Sequence, residues 1–268
     1  MTDITIIVPI HTYNENVKAL LTKAIESVNK NKETYDGGTL LPLIVGPNSV
    51  IQSINVDFGN EKMEYCVNDT EHTDFCSQIN KAVEKVTTDY FSILEFDDTY
   101  TDNWFKLANE YFYTNENVSL FLPINTLSFE GKPAITQFVN EIAWTSSFCN
   151  EIGYLDFDCL NDYSGFNLTG GIFNTKDFIQ VGGFKPSIKV AFNYELLLRL
   201  AKKELKIFVV PKEGYNHNIG RTDSLTDLYN KSLSADDINK WFVLAKTECA
   251  FTKDRGTTLD NVKEEVVK

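Results

Sequence analysis

A chain of 268 residues with a formal net charge of −13 is long enough for one large domain or a domain with an appendage. Its 43% hydrophobic and 24% charged residues are those of an ordinary globular protein, and the acidic balance argues against an extensive nucleic-acid or anionic-membrane surface, which needs Lys and Arg to replace counterions. No apolar run approaches a bilayer span; the start MTDITIIVPI lacks a basic segment, so no signal peptide is expected, and five cysteines without C-x-x-C spacing fit reduced thiols in a cytoplasmic protein better than zinc or disulfides.

ITIIVPI (4–10) has the length and β-branching of a fully buried strand. Val17, Leu20, Leu21, Ala24, Ile25 and Val28 then recur at helical spacing, with Asn14 as the N-cap. LPLIV (41–45) and MEYCV (63–67) read as strands, the first closed by Gly46-Pro47-Asn48. Phe75, Ile79, Ala82, Val83 and Val86 mark a helix, and YFSILEF (90–96) a strand. Asp102 is placed to cap a helix striped by Trp104, Leu107, Ala108, Tyr111 and Phe112, followed by the strand VSLFLPI (118–124). Residues 135–149 read as a helix, 154–165 as an acidic aromatic loop, 165–184 as a glycine-rich block, 194–203 as a helix and KIFVV as a strand. Ser234 with Asp237 resembles a capping box ahead of Ile238, Trp241, Phe242 and Ala245. The last dozen residues read as a solvated tail.

Strands alternating with helices predict an α/β fold, a mostly parallel Rossmann-type sheet flanked by helices. Such sheets bind ligands beyond the carboxyl ends of their strands. Two polar stretches fall at that edge: HTYNEN after the first strand and the acidic end of ILEFDDTY (93–100). In the latter, Glu95, Asp97 and Asp98 crowd together, and like charges about 4 Å apart repel by roughly 1 kcal/mol in bulk water and about 4 kcal/mol at an effective dielectric near 20. A cation between them would relieve this. In an extended chain Glu95 and Asp97 point to one side, and Asp98 lies where the chain turns.

The order of segments resembles glycosyltransferase family 2 on the GT-A fold, over about residues 4 to 222. VPIHTYNEN is similar to the family's opening strand and loop, and QINKAVEKVTTDYFSILEFDD to its helix, strand and metal-binding acidic segment. GGIFNTKDFIQVGGFKP with NYELLLRLAKK is similar to the acceptor-side block, and YNHNIGRTDSLT to the closing loop. The resemblance implies a GT-A-like domain over 1–222 with a C-terminal helical extension and tail over 223–268. It also implies metal-dependent, inverting transfer of a hexosyl-type sugar from a nucleotide-diphosphate donor to an unspecified acceptor. Mn²⁺ or Mg²⁺, hard cations that take carboxylate oxygens and leave sites for phosphate, would sit on Glu95, Asp97, Asp98 and His217. Donor contacts would come from Pro9, Tyr13, Glu15, Asn48 and Asn80, and acceptor contacts from Gly170 and Gly171.

Departures from the family pattern carry equal weight. Its nucleobase aspartate after strand two is replaced by IVGPNSV, leaving Asn48 as the polar group there. Its Glu-Asp pair, whose aspartate deprotonates the acceptor, aligns with Phe192-Asn193, and an amide is no useful base. Glu195 lies about 200° further around the helix; Asp156, Asp158 and Asp162 are the other carboxylates in that half. Each candidate also has a plainer role: the acidic residues as a solvated loop, His217 as a structural histidine, residues 13–15 as a turn and cap, the glycines as turns. A second function therefore stands beside the enzyme: a degenerate GT-A-fold protein acting as a binding or structural part of an assembly. A nucleotidyltransferase would also use paired carboxylates, but no glycine-rich basic phosphate loop supports one.

Overall fold

The computed structural model describes residues 2–69, 74–129, 136–221, 224, 229 and 231–256. Strand β1 (Ile4–Pro9) is buried at every residue, as an apolar run covered on both faces must be. It leads into α1 (Glu15–Thr34), where the Asn14 side chain accepts the Val17 N–H at 3.0 Å. β2 (Leu40–Gly46) runs parallel to β1, and β3 (Glu64–Val67) parallel to β2. Between them α2 (Asn48–Phe58) goes beyond the sequence expectation. Val50, Ile51 and Ile54 form its buried stripe, but a segment this rich in β-branched residues, headed by Pro47 without a side-chain cap, carries a weak helical signal.

α3 (Phe75–Val83), capped by Asp74, precedes β4 (Tyr90–Ile93), which pairs in parallel with β1. β4 ends three residues short of the expected 90–96. The Leu94 N–H bonds Ile7 O at 3.0 Å, and residues 95–98 then turn, with the Asp98 N–H on Glu95 O at 3.1 Å. β5 (Thr99–Tyr100) and α4 (Trp104–Phe112) follow. Asp102 does not cap α4. Asn103 occupies that position without a side-chain bond, and the Asp102 carboxylate lies 3.5 Å from Lys30 in solvent.

β6 (Val118–Phe129) outruns its apolar core. The helix expected over 135–149 is not formed in the described part, residue 135 lying outside it. Thr136–Val139 is strand β7, antiparallel to the far end of β6, followed by a 3-10 turn at Glu141–Trp144. Thr136, Phe138 and Val139 suit a strand beside an available edge, and Asn140 at φ 82° breaks any helix there. The loop expected over 154–165 contains β8 (Tyr154–Leu155) and α5 (Phe157–Asp162), with Asp156 accepting the Cys159 N–H at 2.8 Å. β9 (Ile172–Asn174), α6 (Thr175–Gln180), α7 (Phe192–Lys202) and β10 (Lys206–Ile219) complete the sheet domain. α8 (Ala235–Glu248), started by Ser234, packs on α7. The boundary expected at 222/223 and the tail at 257–268 fall outside the described residues.

The sheet order is β3-β2-β1-β4-β9-β6-β10-β5. β9 is antiparallel to both its neighbours, so β3, β2, β1, β4, β6 and β10 share one direction. This is the mostly parallel, helix-flanked α/β sheet that the sequence predicts. Alternate residues serve two cores: Ile7, Leu43 and Phe91 one face, Ile4, Ile6 and Ile44 the other. The carboxyl ends of β1, β2, β3 and β4 therefore open on one rim.

Candidate functional site

The turn after β4 brings Glu95 and Asp98 together rather than Glu95 and Asp97. Strand alternation does not apply once the chain leaves β4, and a turn closed from Asp98 N–H to Glu95 O puts positions three apart side by side. Ligand atoms of Glu95, Asp98 and His217 all lie within 4.8 Å of one another. Asp97 points to Arg221, with Oδ2 3.3 Å from Nε. Its carboxylate is therefore directed to a cation of the chain itself.

The end of β10 holds this turn. His217 Nδ1 lies 2.7 Å from Asp98 Oδ2, and the Asn218 N–H donates to Asp98 Oδ1 at 2.8 Å. The Asn218 side-chain amide donates to Asp97 O, and the Tyr215 hydroxyl accepts the Glu95 N–H at 3.0 Å. Tyr215, Asn218 and Arg221 are absent from the sequence-based site. The signal for Tyr215 is its two-residue spacing from His217, which puts both on one side of a strand.

Burial, and then the charge of Asp98, push the Glu95 carboxyl up to about 8. Asp97 is also raised, by burial and by Asp98. Burial pulls the His217 imidazolium down, but the Asp98 bond together with the Asp98, Glu95 and Asp97 charges outweighs it and carries the group to about 9. Among the described residues no hydrogen bond or ion pair satisfies the Glu95 carboxylate. Two carboxylates and an imidazole with one carboxyl held protonated form a donor set that suits a divalent cation.

The expected donor residues divide. Pro9 ends β1, buried; Glu15 opens α1, exposed. The Tyr13 hydroxyl donates to Asp57 Oδ2 at 2.7 Å, tying the β1–α1 loop to α2, and Asp57 also pairs with Lys18. Asn48 opens α2, and its N–H donates to Asp69 Oδ1 at 2.9 Å. A carboxylate missing from the β2 turn is thus supplied beside it from the end of β3, a proximity no sequence spacing reveals. Asn80 is engaged within the fold. Its amide donates to Phe184 O at 2.8 Å and accepts the Phe184 N–H at 2.9 Å, so both its polar atoms brace the backbone before α7.

Gly170 and Gly171, expected as acceptor contacts, are both buried and closely packed. Gly170 has φ +75°, and a Cβ there would come within 2.5 Å of the Tyr215 ring. A Cβ on Gly171 would meet Leu168 O at 2.9 Å. At the base position, Asn193 stands in the first turn of α7 with its Oδ1 buried and without a described partner. Glu195 is no substitute. It is fully buried, with Arg199 Nε and Nη2 at 2.9 and 2.6 Å and Lys185 Nζ at 2.9 Å, so its oxygens are already bonded to cations. Asp156 is likewise occupied as the α5 cap, bonded also by Asn150.

Neither a protein-family model nor a curated protein matches this sequence. Solved structures do. S. aureus TarS 1–349 in complex with UDP-GlcNAc aligns with a TM-score of 0.57 and 15% identity, covering 98% of this chain and 77% of that one. Its complex with UDP aligns with a TM-score of 0.56 and 14% identity, covering 92% and 71%. Against a longer TarS chain the TM-score is 0.54 at 15% identity, with 98% of this chain spanning 46% of that one. Within the described residues no helix is long and apolar enough to cross a membrane. At these identities the likeness is one of architecture, and the architecture is the GT-A type that the segment order implies.

Proposed function

We propose that this chain binds a nucleotide-diphosphate sugar at the rim of its sheet and transfers the sugar, with Mn²⁺ or Mg²⁺ held by Glu95, Asp98 and His217. One observation carries the reading: the Glu95 and Asp98 carboxylates and the His217 imidazole converge at the carboxyl ends of a GT-A sheet, and Glu95 lacks a described partner and is pushed up to about 8. A carboxyl perturbed by burial and a neighbouring charge at such a rim is a functional-site candidate. A bound ion would supply positive charge where the departing diphosphate gathers negative charge. His217 and Asn218 fix the Asp98 carboxylate, while Tyr13, Asn48 and Asp69 stand on the neighbouring strand ends as polar groups for the rest of the donor. UDP is the first nucleotide to try, because the structural neighbours were solved with UDP and UDP-GlcNAc.

Calorimetry with UDP, with and without Mn²⁺, tests this. Metal-dependent binding that Asp98→Ala abolishes is the expected result; no binding with or without Mn²⁺ sinks the reading.

A second reading is favoured by a separate observation. Inverting transfer needs a base on the attacking side, and Asn193 and Glu195 supply none. His217 and Arg221 also neutralise Asp98 and Asp97 from within the chain. A degenerate GT-A protein that binds without transferring has these features. Asn193→Asp separates the two: a gain in UDP-sugar turnover over an inert parent favours degeneracy, whereas a parent that already transfers sugar excludes it.

A further inference from the structure

We propose that Tyr215 is a positioning residue for the cation site: its buried hydroxyl fixes the main chain at Glu95 and thereby the spacing of the Glu95 and Asp98 carboxylates. This rests on the metal-dependent reading above. The ring is fully buried and has little lateral freedom. On one side it meets Gly170, where even a Cβ would come within 2.5 Å, and on another it stands edge-on to Tyr100, with centroids 5.5 Å apart. Gly170 is itself anchored, its N–H on Ile93 O at 3.1 Å and its carbonyl accepting Trp104 Nε1–H at 3.0 Å.

Packing alone would be met by phenylalanine, and a buried hydroxyl is unfavourable unless it is bonded. Here it accepts the N–H of the first residue of the acidic turn, at 3.0 Å. Glu95 has left the β4 ladder, so this phenol answers a backbone donor that the strand does not satisfy. The turn is closed from Asp98 N–H to Glu95 O, so a displaced Glu95 main chain carries Asp98 with it. Two residues along the same strand, His217 holds the other end of the group at Asp98. β10 thus supplies both a candidate ligand and the brace beneath the turn.

Tyr215→Phe keeps the ring and removes only the hydroxyl. Mn²⁺ affinity, read from the free aqua-ion signal in electron paramagnetic resonance, is expected to fall roughly ten- to hundred-fold, as loss of outer hydrogen-bond partners of metal ligands does. The Glu95 amide is expected to exchange faster with deuterium while β1 amides stay protected. In a Glu95→Gln background the same substitution adds no further loss. Tyr100→Phe is the control for general loosening: it deletes a buried hydroxyl bonded to Ser92 at 2.8 Å without touching Glu95, and leaves Mn²⁺ affinity unchanged. The inference is overturned if Tyr215→Phe binds Mn²⁺ within about twofold of the parent, if both tyrosine variants lose affinity equally, or if the losses from Tyr215→Phe and Glu95→Gln add. A parent that binds no Mn²⁺ is a different failure, seen before any substitution, and removes the metal reading together with this inference.

Discussion

Glu195 and Glu95 both stand among cations and other charged groups, yet only one of them is paired. Glu195 is fully buried, and both its oxygens are bonded, one to Arg199 Nε and Lys185 Nζ and the other to Arg199 Nη2. At the rim, Asp98 has His217 and Asn218, and Asp97 has Arg221, while Glu95 has no described partner. A buried carboxylate tolerates desolvation only when its lone pairs are answered, and in the core they are. At the rim the crowding persists and appears as a carboxyl pushed up to about 8. The difference separates a cluster whose charges are answered within the fold from one that, on the proposed reading, accepts an outside cation.

Breaking the core cluster should have the largest effect. Glu195→Gln leaves the Lys185 and Arg199 charges facing an amide in a site sealed from water. It is expected to destabilise the protein by about 3–5 kcal/mol, measured by urea denaturation. Glu95→Gln, by contrast, replaces a carboxyl already held neutral below about pH 8 by a neutral amide and is expected to leave the metal-free protein as stable as the parent or more so. Equal losses from the two would show that the rim cluster is structural as well.

The same contrast marks what was legible in the sequence. The acidic rim could be found because three carboxylates interrupt an apolar strand within four positions; the mostly parallel α/β sheet followed from alternating periodicities, and the GT-A type from a resemblance of four segments in order. Which two carboxylates converge could not be read, because strand alternation favours Glu95 with Asp97 whereas a turn closed from Asp98 N–H to Glu95 O favours Glu95 with Asp98. The role of Glu195 was hidden because Lys185 lies ten residues upstream, outside the helix that carries Glu195 and Arg199. The helix expected over 135–149 failed for a related reason. Its apolar spacing is helical, but β6 extends to Phe129 and offers Thr136–Val139 an edge to pair with. Tertiary partners decided each of these, and local pattern does not contain them.

Gly170→Ala sharpens the comparison from the backbone side. A left-handed φ of +75° costs a residue with a side chain about 1–3 kcal/mol, and the new methyl would press on the Tyr215 ring. The expected result is a lower thermal midpoint together with weaker Mn²⁺ binding, because the ring braces the acidic turn. Gly171→Ala, which would meet Leu168 O and the Leu122 and Leu120 side chains instead, is expected to lower the midpoint without a specific loss of metal affinity. Parallel losses in both variants would remove the link between Tyr215 and the site.

The rim also predicts a pH dependence. Glu95 titrates from 4.5 in an unfolded chain to about 8 in the fold. Between those values the folded protein keeps a proton that the unfolded chain has released, so stability falls as pH rises through that window. His217 is raised from 6.5 to about 9, so its contribution is complete below 6.5 and is lost as pH rises through 9. The two slopes have the same sign. In the presence of EDTA the urea midpoint is expected to fall from about pH 5 to about pH 9, and Glu95→Gln with His217→Gln should flatten the fall. Mn²⁺ should oppose it, binding more tightly as pH rises because ligands must be deprotonated. A midpoint that climbs over this range would show that the rim carboxyl is not held protonated.

Arg221→Gln carries the smallest expected change in stability and tests most directly whether the rim is open to an outside ion. The pair with Asp97 is partly solvated, at 22% and 12% exposure, and the guanidinium also lies 4.9 Å from the centroid of the Phe96 ring. Its loss is expected to cost about 1 kcal/mol or less. If Arg221 occupies negative potential that a divalent cation would otherwise use, removing it tightens Mn²⁺ binding by roughly fivefold, the equivalent of about 1 kcal/mol between unit charges near 4 Å in water. If Mn²⁺ binding weakens instead, Arg221 orders the acidic turn and the chain neutralises its own carboxylates, which favours the degenerate protein over the transferase. The core admits no such test: an arginine removed from beside Glu195 leaves a sealed charge that no ligand can reach, whereas at the rim the same deletion exposes a carboxylate that an ion can answer.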